Sequence, residues 1–266
     1  MKDILEEIVA YKRIEVAAQK EQTPPRKLYA EVERMMAEGV EKRSLSQALT
    51  ENDYGIIAEF KRKSPSKGWI KEDGKPEEIP LAYEQNGAAA LSILTDEKYF
   101  GGSLDFVRKA RPLVNLPILR KDFIIDEYQL FQARHVGADA VLLIAADLKK
   151  EEVRSLTAMA HELALEVLLE LHSEHELDYA DLPIDAIGVN NRNLGTFVTD
   201  VQNSFRMAAR LPEERVLVSE SGIAGPGVIR LLREAGYKGF LIGESFMKTD
   251  DPGRALRQFI KELASS

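Results

Sequence analysis

Short apolar runs and stretches of helical periodicity follow one another eight times along the chain. The runs are continuous stretches of Val, Ile, Leu and Ala, which is typical of parallel strands that are covered on both faces. Gly87, Gly137 and Gly236 stand between a helical stretch and the next run, where a left-handed C-cap is expected. The predicted strands are Gly55–Lys61, Ala88–Thr95, Leu116–Lys121, Asp139–Ile144, Glu166–His172, Ala186–Arg192, Arg215–Ser221 and Gly239–Ser245.

The number of units favours a closed barrel. An open doubly wound sheet would give the same strand pattern, so only the count of eight favours closure. Barrels of this kind commonly occupy about 250 residues as one domain, and this chain has 266 residues. We therefore predict an α/β protein with a (β/α)8 TIM barrel, in which residues 1–266 form a single domain.

Residues 1–50 show helical periodicity without a strand. Ile4, Leu5 and Ile8 mark one apolar face, Thr23–Pro25 interrupts the pattern, and Leu28–Met36 resumes it. This pattern predicts an N-terminal helical extension that covers one end of the barrel. A second interpretation, in which the extension also helps to wall a substrate pocket, stays open.

Polar residues also mark where two later helices should begin. Asp147 precedes Leu148–Val153, and Asp251 is followed by Pro252, a residue favoured at the first helical position. A short side-chain oxygen at such a point accepts a bond from a free backbone N–H group. We predict that both aspartates are N-caps.

Composition narrows the classes of partner. The net charge is -8, from 36 basic and 44 acidic side chains, which disfavours attraction to nucleic acid or to an anionic membrane. The sequence has no cysteine, which excludes disulfides, thiolate nucleophiles and cysteine-bound metals. No stretch approaches the roughly 20 apolar residues of a membrane span, and the N-terminus lacks the apolar core of a signal peptide. We expect a soluble, cytoplasmic monomer that acts on a small molecule.

Polar residues stand at the ends of the apolar runs, although an apolar core disfavours them there. In a closed barrel the carboxyl ends of all strands meet on one face, so these residues should surround one pocket. Side chains two apart on a strand point the same way, which creates three same-facing pairs. The pairs are Glu59 with Lys61, Glu170 with His172, and Asn190 with Arg192. Opposite charges in a partly dry pocket tune acids and bases, so the pattern predicts an active site.

Small residues follow the last two predicted strands. Ser221 and Gly222 come after the seventh, and Gly243–Ser245 after the eighth, where many barrels bind phosphate through backbone N–H groups. The loop Ser64–Gly68 can add hydroxyl and ammonium donors. Since the sequence has no Walker A motif, a nucleotide is not indicated.

Six motifs at strand ends resemble those of the indole-3-glycerol phosphate synthase family. The resemblance covers residues from about 45 to the end, and the helical extension is also similar to that of the family. The motifs are Ile57–Gly68, Leu119–Asp126, Leu168–His172, Ile187–Leu194, Val218–Ile223 and Leu241–Ser245.

The resemblance implies a ring closure without a cofactor. In this reaction 1-(2-carboxyphenylamino)-1-deoxyribulose 5-phosphate loses carbon dioxide and water and becomes indole-3-glycerol phosphate. Lys121 matches the family's general acid for the ketone oxygen. The proton transfers of dehydration fall to Lys121, Lys61, Glu59 and Glu170, without a further division among them. Lys61 could instead hold the substrate carboxylate, and Asn190 could orient the sugar hydroxyls or the ketone oxygen.

The resemblance also implies substrate-binding positions. Phe100 and Leu142 would line a slot for the aromatic ring, and Arg192 could meet the carboxylate. The remaining positions are Ser64, Glu220, Ser221, Gly222, Gly243, Glu244 and Ser245. Trp69 departs from the pattern, since a smaller residue is expected after the Ser64–Gly68 loop. We expect this residue to alter the mobility of the loop. No metal is implied. His172 and His175 have the spacing of a metal-binding pair, but only His172 stands at a strand end.

Two other functions fit the same residues less well. Another phosphosugar barrel, an isomerase or an aldolase that forms a Schiff base on Lys121 or Lys61, would place its chemistry on the same face. A catalytically silent barrel that binds phosphates is the third possibility. The complete set of charged residues at the strand ends argues against it.

Overall fold

Eight parallel strands close into a barrel in which each strand pairs with its neighbours in the chain and the last pairs with the first. The computed structural model describes residues 4–193 and 195–265. Barrel strands 1 to 8 are Ile56–Phe60, Ala90–Leu94, Ile118–Lys121, Ala140–Ile144, Glu166–Leu171, Ala186–Asn190, Val216–Glu220 and Tyr237–Ile242. The predicted barrel is confirmed. Residues 1–3 of the predicted extension, Leu194 of the Ile187–Leu194 motif, and Ser266 lie outside the described residues.

Helices surround the barrel and precede it. In chain order, α1 to α12 are Ile4–Gln22, Pro25–Glu38, Leu45–Glu51, Ile79–Gln85, Glu97–Phe100, Leu104–Ala110, Glu127–Val136, Lys150–Glu162, Gln202–Ala208, Pro226–Glu234, Glu244–Met247 and Pro252–Ala264. Two 3-10 helices cover Arg111–Leu113 and Glu174–Asp181. Over the part of the chain that is described, none of these helices has an apolar stretch long enough to cross a bilayer.

The connection between strands 5 and 6 is a 3-10 helix instead of an α-helix. Pro183 follows it closely, and a proline restricts the preceding residue and cannot donate a helical hydrogen bond. The predicted cap at Asp147 is wrong, because α8 begins at Lys150 and the backbone N–H of Lys149 donates to the Glu152 carboxylate at 2.7 Å. The cap at Asp251 is confirmed, since its side chain accepts from the N–H of Arg254 at 2.9 Å.

The predicted glycine caps are confirmed. Gly87, Gly137 and Gly236 have φ values of 95°, 90° and 101°, which L-residues with a side chain rarely adopt. Each glycine follows a helix and turns the chain into the next barrel strand. These turns set where the next strand starts and hence which of its residues reach the far rim of the barrel.

The inward face of each strand is apolar at depth and polar at its carboxyl end. Ile57, Leu119, Leu168 and Val218 belong to the core inside the barrel, together with Leu45, Leu49, Ala89, Ala90, Ala140, Leu142, Ile144, Ala186 and Leu241. Residues two positions further along four of these strands point the same way, and they are Glu59, Lys121, Glu170 and Glu220. The strand period therefore places these four charged groups on top of the interior core.

The N-terminal extension acts at both ends of the barrel. Leu45 and Leu49 of α3 are 1% exposed and join the interior core from below. Ile4, Leu5 and Ile8 of α1 line the cavity at the opposite end. The structure thus supports both interpretations of the extension, as a cover for one end and as a pocket wall.

A short antiparallel hairpin in the loop after strand 1 was not predicted. It pairs Lys63–Ser64 with Gly68–Trp69, so the predicted loop contains a turn between two short strands. Trp69 is 47% exposed, and it packs so closely on Gly101 that a Cβ atom there would lie 2.7 Å from the indole ring. The hairpin therefore rests on the loop after strand 2.

Candidate active site

A cavity of about 730 Å³ opens at the carboxyl ends of the barrel strands. It is large enough for a ligand of ordinary metabolite size. All the predicted catalytic and substrate-binding residues line it: Glu59, Lys61, Ser64, Phe100, Lys121, Leu142, Glu170, Asn190, Arg192, Glu220, Ser221, Gly222, Gly243, Glu244 and Ser245. The structure brings these residues together, while the role of each stays a prediction.

Lys121, the last residue of strand 3, lies at the centre of the polar layer. Its Nζ atom is 2.6 Å from Oε2 of Glu170 and 2.8 Å from Oε2 of Glu220. Both carboxylates are buried, and the lysine side chain is 12% exposed. One ammonium group therefore bridges the ends of strands 5 and 7 across the barrel.

The charges in this cluster shift one another's ionisation. Burial alone would lower the pKa of Lys121, but the carboxylates of Glu170, Glu220 and Glu59 outweigh burial and raise it above its ordinary value. Burial would raise the pKa of Glu170, but Lys121 and His172 hold it well below its usual range. The pKa of Glu220 is raised to about 7 by burial and by the nearby Glu170 charge, against the effect of Lys121. The cluster thus contains a protonated amine, an ionised carboxylate and a carboxyl group that titrates near neutrality.

Gly188 on strand 6 makes room for this arrangement. A Cβ atom at this position would lie 2.2 Å from Oε1 of Glu220, a distance at which the carboxylate must move. The same Oε1 atom is buried and has no hydrogen-bond partner among residues 4–193 and 195–265. Glu220 therefore presents one oxygen to Lys121 and keeps the other against the bare backbone of Gly188.

A second ion pair stands at the end of strand 1. Nζ of Lys61 lies 2.5 Å from Oε1 of Glu59, and the two side chains are 15% and 4% exposed. A Cβ atom at Gly243 would lie 2.3 Å from the same oxygen, so the glycine after strand 8 admits the carboxylate. Glu59 also helps to raise the pKa of Lys121, although it ranks below the two glutamates in contact. Two ammonium–carboxylate pairs therefore face one cavity.

Arg192 lies at the rim of the cavity and joins two loops. Its Nη1 donates to Oγ of Ser66 at 3.2 Å, and its Nη2 is 3.7 Å from Oε2 of Glu244. Lys67 approaches the other oxygen of Glu244 at 3.9 Å. These polar groups connect the hairpin loop to the loops after strands 6 and 8.

The Ser221–Gly222 turn has an unusual backbone. Both residues have positive φ, 65° for Ser221 and 73° for Gly222. Asn191, which is 4% exposed, holds the turn, because its Nδ2 donates to the carbonyl oxygen of Ser221 at 3.0 Å and to Oγ of Ser219 at 3.1 Å. The side-chain oxygen of Asn191 accepts from the N–H and hydroxyl groups of Ser204. The turn beside the cavity is therefore fixed from beneath by a buried amide.

The apolar side of the cavity includes residues that the sequence reasoning missed. Phe123 lines it and packs on Phe100, with ring centroids 6.0 Å apart at 38°. The signal was present, since Phe123 lies two residues after Lys121. Phe197 and Thr199 of the loop after strand 6 also line the cavity, and no pattern in the sequence indicated them.

The chain matches the family model "Indole-3-glycerol phosphate synthase" over residues 5–259. An indole-3-glycerol phosphate synthase of Bacteroides thetaiotaomicron is 61% identical over 263 residues, which cover 99% of this chain and 100% of that protein. One from Neisseria meningitidis is 47% identical over 256 residues, with coverage of 94% and 96%.

Solved structures with low sequence identity share the fold. Thiamine phosphate pyrophosphorylase from Pyrococcus furiosus aligns with a TM-score of 0.61 at 15% identity, over 84% of this chain and 98% of that one. A chain of the tryptophan synthase α2β2 complex from Pyrococcus furiosus gives a TM-score of 0.59 at 14% identity, over 81% of this chain and 99% of that one. At such identities the likeness shows the barrel fold alone.

Proposed function

The chain belongs to the indole-3-glycerol phosphate synthase family, and on that premise we propose that Lys121 is the acid that starts this reaction in the cavity. The family's reaction closes the ring of 1-(2-carboxyphenylamino)-1-deoxyribulose 5-phosphate and releases carbon dioxide and water. The product is indole-3-glycerol phosphate, an intermediate of tryptophan biosynthesis. The contact of the Lys121 ammonium group with two buried carboxylates carries the proposal.

Ring closure requires a proton at the ketone oxygen. The aromatic carbon that bears the carboxylate attacks the ketone carbon, and negative charge builds on the oxygen. An ammonium group held in a poorly solvated cavity stabilises this charge and delivers the proton in the transition state. Glu170 and Glu220 hold Lys121 in its charged form, so the acid is ready before the substrate binds.

Water loss requires a second acid and a base. Carbon dioxide leaves without its bonding electrons, which restore the aromatic ring. The hydroxyl then departs as water after it takes a second proton, and one proton leaves a carbon of the new ring. Lys61 and Glu59 form a second ammonium–carboxylate pair in the same cavity, and we assign them to this step. Each turnover therefore takes up one proton in total.

The direction of the Lys121 pKa argues against an aldolase. A lysine that forms a Schiff base must lose its proton to act as a nucleophile, and such lysines have a lowered pKa. Burial would lower the pKa of Lys121, but the three glutamates raise it overall. The charge state of Lys121 therefore suits an acid.

The rest of the cavity offers a separate place for each part of the substrate. Phe100, Leu142 and Phe123 form the apolar wall for the anthranilate ring. Arg192 stands at the rim, where a guanidinium group can pair with the carboxylate. At the phosphate end stand the backbone and hydroxyl groups of Ser221, Gly222, Gly243 and Ser245, with Glu244 in the turn after strand 8 and Ser64 in the loop after strand 1. Asn190 is available to orient the sugar hydroxyls.

Three further features are part of the proposal. The family match from residue 5 to residue 259 supports one barrel domain for residues 1–266. The net charge of -8 and the absence of cysteine are consistent with a cytoplasmic enzyme that binds neither nucleic acid nor membranes. A monomeric state is the third feature of the proposal.

The test is a fluorescence assay for indole-3-glycerol phosphate with the carboxyphenylamino sugar phosphate as substrate and no added metal. Wild-type protein should turn over, and Lys121→Ala should lower kcat by about 10²–10⁴-fold, the usual contribution of a general acid. KM should change much less, because the proton is delivered in the transition state. Unchanged kcat would remove Lys121 from the mechanism.

A surface lysine provides the control. Lys109 pairs with Glu77 and Asp105, and its side chain is 48% exposed. Lys109→Ala removes one positive charge at a distance from the cavity, so it should leave kcat and KM unchanged. A trapped imine after borohydride treatment with substrate would support an aldolase in place of the proposed reaction.

A further inference from the structure

His172 is a mostly buried ionisable residue that the proposed chemistry does not use. It follows strand 5 directly, and its side chain is 12% exposed. It lies outside the cavity wall that the described residues form. Its Nε2 atom is nevertheless 3.1 Å from Oε1 of Glu170. His172 thus contacts a candidate catalytic carboxylate from outside the cavity lining, although the sequence predicted that it would face the pocket together with Glu170.

The two oxygens of Glu170 have different partners. Oε2 lies 2.6 Å from Lys121, and Oε1 lies 3.1 Å from His172. A carboxylate held at one oxygen alone can rotate about its last side-chain bond, whereas one held at both oxygens cannot. Outer-shell contacts of this kind commonly fix the groups that meet a substrate. The orientation of Glu170 therefore depends on His172 as well as on Lys121.

The backbone of His172 is itself anchored. Its N–H donates to Oε2 of Glu176 at 2.5 Å, and its carbonyl oxygen accepts from Nδ2 of Asn203 at 3.0 Å. Both ring nitrogens, Nδ1 and Nε2, are buried and make no aligned hydrogen bond within residues 4–193 and 195–265. The 3.1 Å contact between Nε2 and Oε1 of Glu170 is therefore an ion pair, which forms when the ring is protonated.

The charge balance of the cluster favours a protonated ring. Glu170 and Glu220 face one ammonium group, that of Lys121, and a cationic His172 supplies the second positive charge. The ionisable groups that act on the imidazole are Glu170 on its own strand, Glu176 in the following 3-10 helix and Glu220 on strand 7. Burial would lower the pKa of His172, but these carboxylates, and Glu170 most of all, raise it above 6.5.

We propose that His172 is a positioning residue for ring closure: its Nε2 holds Oε1 of Glu170, which keeps Oε2 on Lys121 and Lys121 directed into the cavity. His172 acts through Glu170 and does not touch the substrate. This inference rests on the proposed function, in which Lys121 is the acid.

Two amide variants that differ by one methylene group test the contact. In His172→Gln the side-chain nitrogen can take the place of Nε2, whereas in His172→Asn it can only take the place of Nδ1. We expect His172→Asn to lower kcat by about tenfold, at the lower end of the losses seen for outer-shell partners, and to leave KM within about twofold. His172→Gln should recover most of the lost kcat. Equal kcat in wild type and His172→Asn, or equal losses in both variants, would overturn the proposal.

A nuclear magnetic resonance titration tests the same contact without any turnover. The chain has four histidines, and the signal that disappears in His172→Gln identifies His172. We expect this signal to titrate above pH 6.5 in wild type and at a lower pH in Glu170→Gln, because burial then prevails. Glu234→Gln on α10 is the control and should leave the titration unchanged. No shift in Glu170→Gln would refute the contact, whereas an inactive wild type would refute the proposed function alone.

Discussion

Replacement of Lys12 by methionine tests what holds the N-terminal helix on the barrel. Lys12 lies in α1 and is 1% exposed. Its Nζ atom lies 2.7 Å from Asp96, 2.9 Å from Asp122 and 2.9 Å from Glu15. Asp96 follows strand 2, and Asp122 is the residue after Lys121. Methionine keeps the length of the side chain and removes only the charge.

The expected loss of stability follows from the carboxylates that remain. Asp122 retains Arg120 at 2.9 Å and the hydroxyl of Thr95 at 2.6 Å, whereas Asp96 loses its cation while it stays fully buried. Removal of one partner from a buried ion pair costs about 3–5 kcal/mol. We therefore expect Lys12→Met to lower the free energy of unfolding by about that amount.

A second lysine of the same helix is the matched control. Lys20 pairs with Asp126 at 2.7 Å, but both side chains are about one-third exposed, at 33% and 32%. Exposed pairs of this kind contribute about 0–1 kcal/mol. Lys20→Met should therefore be nearly neutral, although it removes the same charge from the same helix.

Urea unfolding of wild type, Lys12→Met and Lys20→Met at neutral pH measures the difference. Burial would raise the pKa of Asp122, but Lys12 and Arg120 lower it overall, so its contribution to stability is present above pH 3.8 and is lost as the pH falls below that value. The pKa of Lys12 is raised by its carboxylates against the effect of burial, so its contribution is present below pH 10.5. The gap between wild type and Lys12→Met should hence be widest between these limits. Equal stability of the two lysine variants would refute the reasoning.

Three further predictions concern the cavity. Gly188→Ala should displace the Glu220 carboxylate and lower kcat, while Gly225→Ala, where no atom lies within 4 Å of the new Cβ, should not; equal kcat in both variants would contradict this. Ser221→Ala should raise KM for the phosphorylated substrate and leave binding of a dephosphorylated analogue unchanged, as competition assays can measure. Burial and the nearby Glu170 charge raise the pKa of Glu220 to about 7, so wild-type kcat should fall below that pH, because a protonated Glu220 no longer holds the Lys121 ammonium group in position by its charge. Glu220→Gln should lack this step in its pH profile, and a step that persists would assign the ionisation elsewhere.

The sequence predicted the barrel well because strand and helix patterns are local. Continuous apolar runs, glycine caps and the count of eight units all act over short segments, and each was confirmed. The errors lie where the contacts of a few residues determine the local structure. The start of α8 depends on Glu152, which reaches back to the N–H of Lys149 and displaces Asp147 from the role of cap. The Lys63–Trp69 hairpin is too short to produce a recognisable alternation.

The sequence predicted which residues line the site better than it predicted which of them contact one another. The period of two along each strand places Glu59, Lys121 and Glu170 above the interior core, and closure of the barrel makes them neighbours. The same rule could have identified Phe123. It could not show that Lys121 would choose Glu170 and Glu220 as partners, because that choice depends on the space left by Gly188. The contact of Lys12 with Asp122 joins segments far apart in the chain, and no local pattern encodes it.

Closure of the lower end of the barrel by Leu45 and Leu49 makes the cavity a dead end. Substrate and product must pass through the same open end of the cavity, so the product has to leave before the next substrate can bind. A bound product molecule therefore blocks entry of the next substrate, so we expect the product to compete with the substrate for the cavity.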